Sequence, residues 1–190
     1  MAPCAQPRTR PPDAAAHAAD GKRGRRRRGG ADPDRARRIR VRRVWRLASG
    51  RYPPLTGEGA RLVGGRWNSP GHPLIYTSDS LALCLAECLV HVPGRLPADY
   101  VAFTIALPED SVESIDVQSL EADWRRDLGL TRAIGDGWLA AGRTLALVVP
   151  SAVLPDSSNI LVNPLHPRSA EIQLVAQQPF QFDPRLRPLP

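Results

Sequence analysis

Glu87 lies inside an apolar run, Ser80 to His91 (SLALCLAECLVH). A carboxylate in such a setting must be protonated, paired or put to work. The structural alternative is an ion pair with an arginine. The functional one is a carboxylate that holds a sugar hydroxyl or stabilises a cationic transition state. Arg46 and Arg66 each neighbour a tryptophan, in RVRRVWRL and GGRWN. Their forked guanidinium groups suit phosphate or carboxylate oxygens, though either could equally be a surface residue or a partner of Glu87. Gly64 and Gly65, just before Arg66, allow a close backbone approach. Tyr76 ends the apolar stretch PLIYT. Its ring could stack on a base and its hydroxyl could meet a ribose, or it could be a core residue with a locally satisfied hydroxyl. Ser151 follows the apolar stretch TLALVV at a Pro-Ser turn. The GxSxG elbow is missing, so Ser151 reads as a hydrogen-bonding group and not as a nucleophile.

Other chemistries fit less well. There is no GxGxxG after a strand and no GxxxxGK[ST], so the nucleotide motifs of known mechanics are absent. Cys84, Cys88 and His91 fall at i, i+4 and i+7 on one helix face, and zinc would need a fourth ligand from elsewhere. Beyond the first forty residues the other histidines are His72 and His166. Core thiols are the expectation, and no metal site is assigned.

The elements that must position these residues follow from pattern. Arg40 to Leu47 reads as a first strand. Ala48 to Asn68 holds Gly50, Pro53, Pro54, Gly57, Gly59, Gly64 and Gly65 and reads as a long irregular segment, the kind that carries function. Pro73 to Thr77 is a short buried strand. Asp79 or Ser80 caps a helix running to about Val92, apolar nearly all round and stopped by Pro93-Gly94. Tyr100 to Leu107 is a strand, and Ile115-Asp116 begins a short one. Gln118 to Asp127 and Thr131 to Ala141 read as two helices broken near Gly129. Thr144 to Val149, Asn159 to Val162 and Ile172 to Ala176 are strands, with Phe180 to Asp183 extending the last. This order predicts an α+β fold, a mixed central sheet with flanking helices in a single domain over residues 41–190.

Charge divides the chain unevenly. Residues 1–43 carry 14 Lys+Arg against 4 Asp+Glu, and residues 44–190 carry 12 against 15, within a net charge of +7. The basicity therefore belongs to the N-terminal tail, and the part expected to fold is mildly acidic. Residues 1–40 are rich in Pro, Ala, Gly, Asp and Arg without periodicity, which predicts disorder. Arg25 to Arg28 could touch nucleic acid or an acidic partner; a solvated tail is the plainer assignment. Three cysteines form no disulfide framework, no apolar run reaches the ~20 residues of a membrane span, and the N-terminus lacks a secretory apolar centre. A cytoplasmic location is expected.

Read together, several blocks resemble the RES family, the toxin half of RES–Xre toxin–antitoxin pairs. They are Trp45-Arg46, LTGEGARLVGGRWNSPG at Leu55 to Gly71, Tyr76, SLALCLAECLVH at Ser80 to His91, VVPSAVLP at Val148 to Pro155, NPLHP at Asn163 to Pro167 and PFQFDPRL at Pro179 to Leu186. The resemblance covers about residues 43–188. It implies an ADP-ribosyltransferase-like fold and consumption of NAD+ as substrate by cleavage of the nicotinamide–ribose bond, with phosphate or water as acceptor and no separate cofactor. Some members are described instead as ADP-ribosylating a protein. The resemblance places the site at Arg46, Arg66, Tyr76, Glu87 and Ser151, with Asn163 in support. Arg46 and Arg66 would clamp the pyrophosphate, Tyr76 would meet the nicotinamide ribose, Glu87 would stabilise the oxocarbenium-like charge and Ser151 would orient it. A cognate Xre-type helix-turn-helix antitoxin is the implied partner, in a hetero-oligomer, with DNA reached only through the antitoxin and no membrane. The alternatives are a protein ADP-ribosyltransferase using the same site, and a non-enzymatic binding module whose tail holds nucleic acid.

Overall fold

Val41–Ser49 mixes arginines with β-branched and aromatic residues and forms strand β1, which joins the two halves of the architecture. In the computed structural model, which describes residues 40–91 and 96–186, β1 pairs with β3 (Tyr100–Pro108) along its whole length, from Val41 opposite Pro108 to Ser49 opposite Tyr100. On its other side it meets β2 (Ile75–Ser78) at a single pair, Trp45 opposite Ser78. The remaining elements are α1 (Glu58–Val63), α2 (Leu81–His91), β4 (Val112–Ser114), α3 (Leu128–Ala141), β5 (Ala146–Pro150), β6 (Ser158–Val162) and β7 (Gln173–Pro179). The strands form one seven-stranded sheet in the order β4-β5-β6-β2-β1-β3-β7. Only the β4–β5 pairing is parallel. The sheet is mixed and the class is α+β, as expected.

The single β1–β2 pair almost divides the sheet into two halves. Their facing surfaces make one core: Val44, Phe103, Ile105 and Leu107 from one half pack with Ile75, Ala146, Ile160 and Val162 from the other, without a helix residue among them. The opposite surface of the second half carries Leu147, Val149 and Leu161, and is covered by Trp67, Trp124 and Trp138, the last from α3. α2 lies against β1 and β2.

Local chemistry explains where the elements depart from expectation. The Ala48–Asn68 segment is not irregular throughout. It contains α1, held by an Arg61–Glu58 ion pair one turn apart and closed by the Gly64 N–H to the Ala60 carbonyl. α2 is not buried all round: Leu83 and Cys84 are buried, and Val90 is 61% exposed. The expected stop at Pro93-Gly94 lies outside the described residues, as do residues 1–39 of the expected tail. No α-helix forms over Gln118–Asp127; its only helical residues are the end of a 3-10 turn at Val117–Ser119. Asp116 binds the Gln118 N–H and Asp127 the Leu130 N–H, so the aspartates act as caps. α3 therefore starts at Leu128, and the break falls at the Asp127 cap and not at Gly129. β4 occupies Val112–Ser114, ahead of the expected Ile115-Asp116. β7 runs to Pro179, and Phe180 and Phe182 leave the sheet to pack together, with Phe182 also against the Tyr100 ring. Among the described residues no helix is long and apolar enough to cross a membrane.

Candidate functional site at the split of the sheet

Strand β2 gathers the site, because one short segment faces both the split and the helices. Arg46 of β1 extends a guanidinium toward the position where β1 and β2 part, and its Nη1 donates to the Tyr76 carbonyl at 3.0 Å. Its Nε is sealed from solvent and has no partner among the described residues. No carboxylate among those residues pairs with it. Burial holds the Arg46 guanidinium below its ordinary pKa, with Cys84 and Tyr100 nearby opposing that shift. Arg46 is thus a partly buried cation with a sealed donor and no counter-charge among the described residues, a chemistry that suits an anion.

Two residues along β2, the Ser78 hydroxyl donates to the Asn159 side-chain carbonyl at 2.7 Å. That bond orients the Asn159 amide, which donates from Nδ2 to Glu87 Oε1 at 2.6 Å. Ser151 Oγ donates to the same Oε1 at 2.8 Å, while accepting from the backbone N–H groups of Val153 and Leu154. Ser151 is 1% exposed, and its backbone N–H also donates to the Ser157 carbonyl at 2.9 Å. Glu87 thus has one oxygen fixed by two donors, and its Oε2 has no hydrogen-bond partner among the described residues. α2 supplies the register: Cys84, one turn before Glu87, is anchored by its Sγ to the Trp45 carbonyl at 3.1 Å. Burial pushes the Cys84 thiol up to about 11, which makes it a packing and anchoring group and not a nucleophile.

Tyr76 turns its side chain the other way. Its hydroxyl accepts from the Trp67 N–H at 2.9 Å and donates to Asn68 Oδ1 at 2.8 Å. Burial pushes its pKa up to about 12, against the Trp67 hydrogen bond and the nearby charges of Arg132 and Arg66. A Cβ at position 65 would overlap this hydroxyl, which is why Gly65 is needed there. The Tyr76 hydroxyl is therefore committed to shaping the loop that carries Arg66. Asn68, fully buried, completes that loop by donating to the Ala60 and His72 carbonyls at 2.9 Å each. Arg66 itself lies on the outer side, with Nη1 on the Arg125 carbonyl at 2.8 Å and no carboxylate partner among the described residues.

The sequence-derived candidates fall into two linked groups. Glu87 and Ser151 bond directly, and Arg46 joins them through β2. Arg66 joins through the Tyr76-anchored loop. Asn163 stands apart: its Oδ1 accepts from the Leu165 N–H and its backbone N–H binds the Leu145 carbonyl, a turn-forming role. No group of three or more His, Cys, Asp and Glu suited to a metal ion occurs among the described residues.

The RES domain family profile matches residues 43–183. The chain belongs to the RES domain family. A relative named Toxin Res from Photorhabdus laumondii is 34% identical over 149 residues, covering 75% of this chain and 96% of that protein. The Prs ADP-ribosylating toxin of a Sphingobium species is 32% identical, covering 75% and 94%. The Mycobacterium tuberculosis NAD(+) phosphorylase MbcT matches over a shorter stretch, 46% identical across 44 residues, 23% of this chain and 24% of that protein. MbcT within its MbcT–MbcA toxin–antitoxin complex is similar in structure, with a TM-score of 0.62 at 24% identity, covering 75% of this chain and 85% of that one. The likeness in structure shows a shared fold.

In this RES domain the reading from sequence missed Asn159 and Ser78. A signal existed for Asn159: asparagine is disfavoured in strands, yet it opens the apolar run SNILV. Ser78 gave none, since its use depends on the β2–β6 register that sets it opposite Asn159.

Proposed function

We propose that this RES-family toxin domain breaks the nicotinamide–ribose bond of NAD+. The observation that carries the reading is the Glu87 carboxylate, fixed at one oxygen by Ser151 and Asn159 and without a described partner at the other, linked through β2 to Arg46, whose sealed Nε has no partner among the described residues. The free Oε2 would hold a ribose hydroxyl and face the positive charge that develops at the anomeric carbon. A carboxylate already held in place needs little reorganisation to stabilise that charge. The nicotinamide is bound as a pyridinium cation and departs with the C–N electron pair as a neutral molecule, so no strong general acid is required. Arg46 and Arg66 would bind pyrophosphate oxygens, Arg46 through its unpartnered Nε. Tyr76 serves by its backbone carbonyl and by its hold on the Arg66 loop.

The acceptor completes the balance. With phosphate, its oxygen bonds to the anomeric carbon as the C–N bond breaks, giving ADP-ribose phosphate and nicotinamide. With water the products are ADP-ribose, nicotinamide and a proton. The name of MbcT favours phosphate, and that of the Sphingobium relative favours a protein acceptor. An antitoxin that covers this site, of the Xre helix-turn-helix type, is the proposed partner in a hetero-oligomer; MbcT is found in a toxin–antitoxin complex with MbcA. Incubating the chain with NAD+ with and without phosphate, and separating the products, tests the reading. ADP-ribose phosphate identifies phosphorolysis, free ADP-ribose hydrolysis, and label retained on protein a transferase. Unchanged NAD+ throughout overturns it.

A further inference from the structure

The Arg66 loop is held from below by one face of α3. Arg132, Gly135 and Asp136 stand at i, i+3 and i+4 and so share that face. Each acts on the loop backbone. Arg132 donates its Nε to the Gly65 carbonyl at 2.9 Å. Asp136 accepts the Ser69 N–H at 3.0 Å, and the His72 side chain lies 3.2 Å from the same carboxylate oxygen. Gly135 lies under Trp67, whose carbonyl oxygen would overlap any Cβ at that position. Glycine is a poor choice inside a helix, costing up to ~1 kcal/mol against alanine, so close contact with the loop is what requires it. Burial raises the Asp136 carboxyl, but the Ser69 bonds and nearby His72 leave it below its ordinary value.

We propose that Arg132 and Asp136 are positioning residues for Arg66: α3 fixes the backbone on both sides of Arg66 and thereby aims its guanidinium at the anionic part of the substrate. The Arg66 side chain has only one described bond of its own, to the Arg125 carbonyl, so its direction depends on how its backbone is held. This rests on the dinucleotide reading above, since it assigns Arg66 to an anionic ligand. It adds that the specificity of the site depends on residues that never touch substrate.

The test uses the full chain and ADP-ribose as probe, by calorimetry, with nicotinamide as a control ligand lacking phosphate. Asp136→Ala removes the acceptor for the Ser69 N–H and should weaken ADP-ribose binding by roughly tenfold or more, because small displacements of a binding group are costly. Asp136→Asn keeps an acceptor oxygen and should restore binding to near that of the wild type. Arg132→Met, which keeps the stem and deletes the donor, should weaken ADP-ribose binding as Asp136→Ala does, and supplies the result if that variant does not fold. Nicotinamide binding should be unchanged in all. A wild type that binds ADP-ribose while folded Asp136→Ala and Arg132→Met bind it equally well overturns the positioning role and leaves the dinucleotide reading standing. A wild type that binds no ADP-ribose overturns both.

Discussion

Ser151 and Glu87, 64 residues apart, are joined by a hydrogen bond whose direction is forced. The Ser151 lone pairs take the N–H groups of Val153 and Leu154, so only its proton remains for Glu87. Ser151 therefore supports the chain turn after β5 and the carboxylate at once. Ser151→Ala should lower stability by about 1–3 kcal/mol, because two backbone donors lose their acceptor, and should lower turnover as well. Asn159→Ala deletes a donor to Glu87 without stranding those donors. Its loss should fall mainly on kcat, by roughly tenfold, with a smaller change in melting temperature. Paired thermal melts and steady-state kinetics on the two variants check this.

Arg46 should be a stability cost borne for binding. Its Nε is buried without a partner, and a buried cation without a counter-charge destabilises the free protein. Arg46→Met should keep or raise the melting temperature of the free chain and abolish the stabilisation that ADP-ribose gives the wild type. A melt that drops by many degrees without ligand would assign Arg46 to the fold instead.

Tyr76 gives a signature in pH. Its folded pKa, about 12, lies above the ordinary 10.0, so its contribution to stability is fully present below pH 10 and is lost as pH rises through 12. Tyr76→Phe should lower stability at neutral pH by about 1–3 kcal/mol through the unpaired Trp67 N–H and Asn68 carbonyl. The gap between wild type and variant should narrow between pH 10 and 12, followed by denaturant unfolding.

Much of this was legible in the sequence because the decisive residues are exceptions to their surroundings. A glutamate in an apolar helix, arginines beside tryptophans and a glycine pair each stand out without knowledge of any contact. The strands were legible from alternation and apolar runs. What stayed hidden depends on pairing across the chain. Ser78 becomes part of the site only through the β2–β6 register, and the division of the sheet rests on a single Trp45–Ser78 pair. The helical appearance of Gln118–Asp127 was overridden by Asp116 and Asp127 acting as caps, and by Trp124, which leaves the periodic pattern to pack on Trp67.

Gly135 shows the same limit. By helix propensity Gly135→Ala should stabilise α3 by up to ~1 kcal/mol. The Trp67 carbonyl reverses the sign, and a loss of about 3 kcal/mol or more is expected, since relief requires shifting the loop backbone. Urea unfolding of the single variant decides between the two signs.

The central claim is that Glu87 stabilises the charge that develops as nicotinamide leaves. It is tested most directly by measuring NAD+ loss by the purified wild type beside Glu87→Gln, which keeps the size of the side chain and an acceptor for Ser151. The account predicts turnover reduced by roughly 10²–10³-fold with a melting temperature near that of the wild type. A folded Glu87→Gln variant that consumes NAD+ at close to the wild-type rate would contradict it.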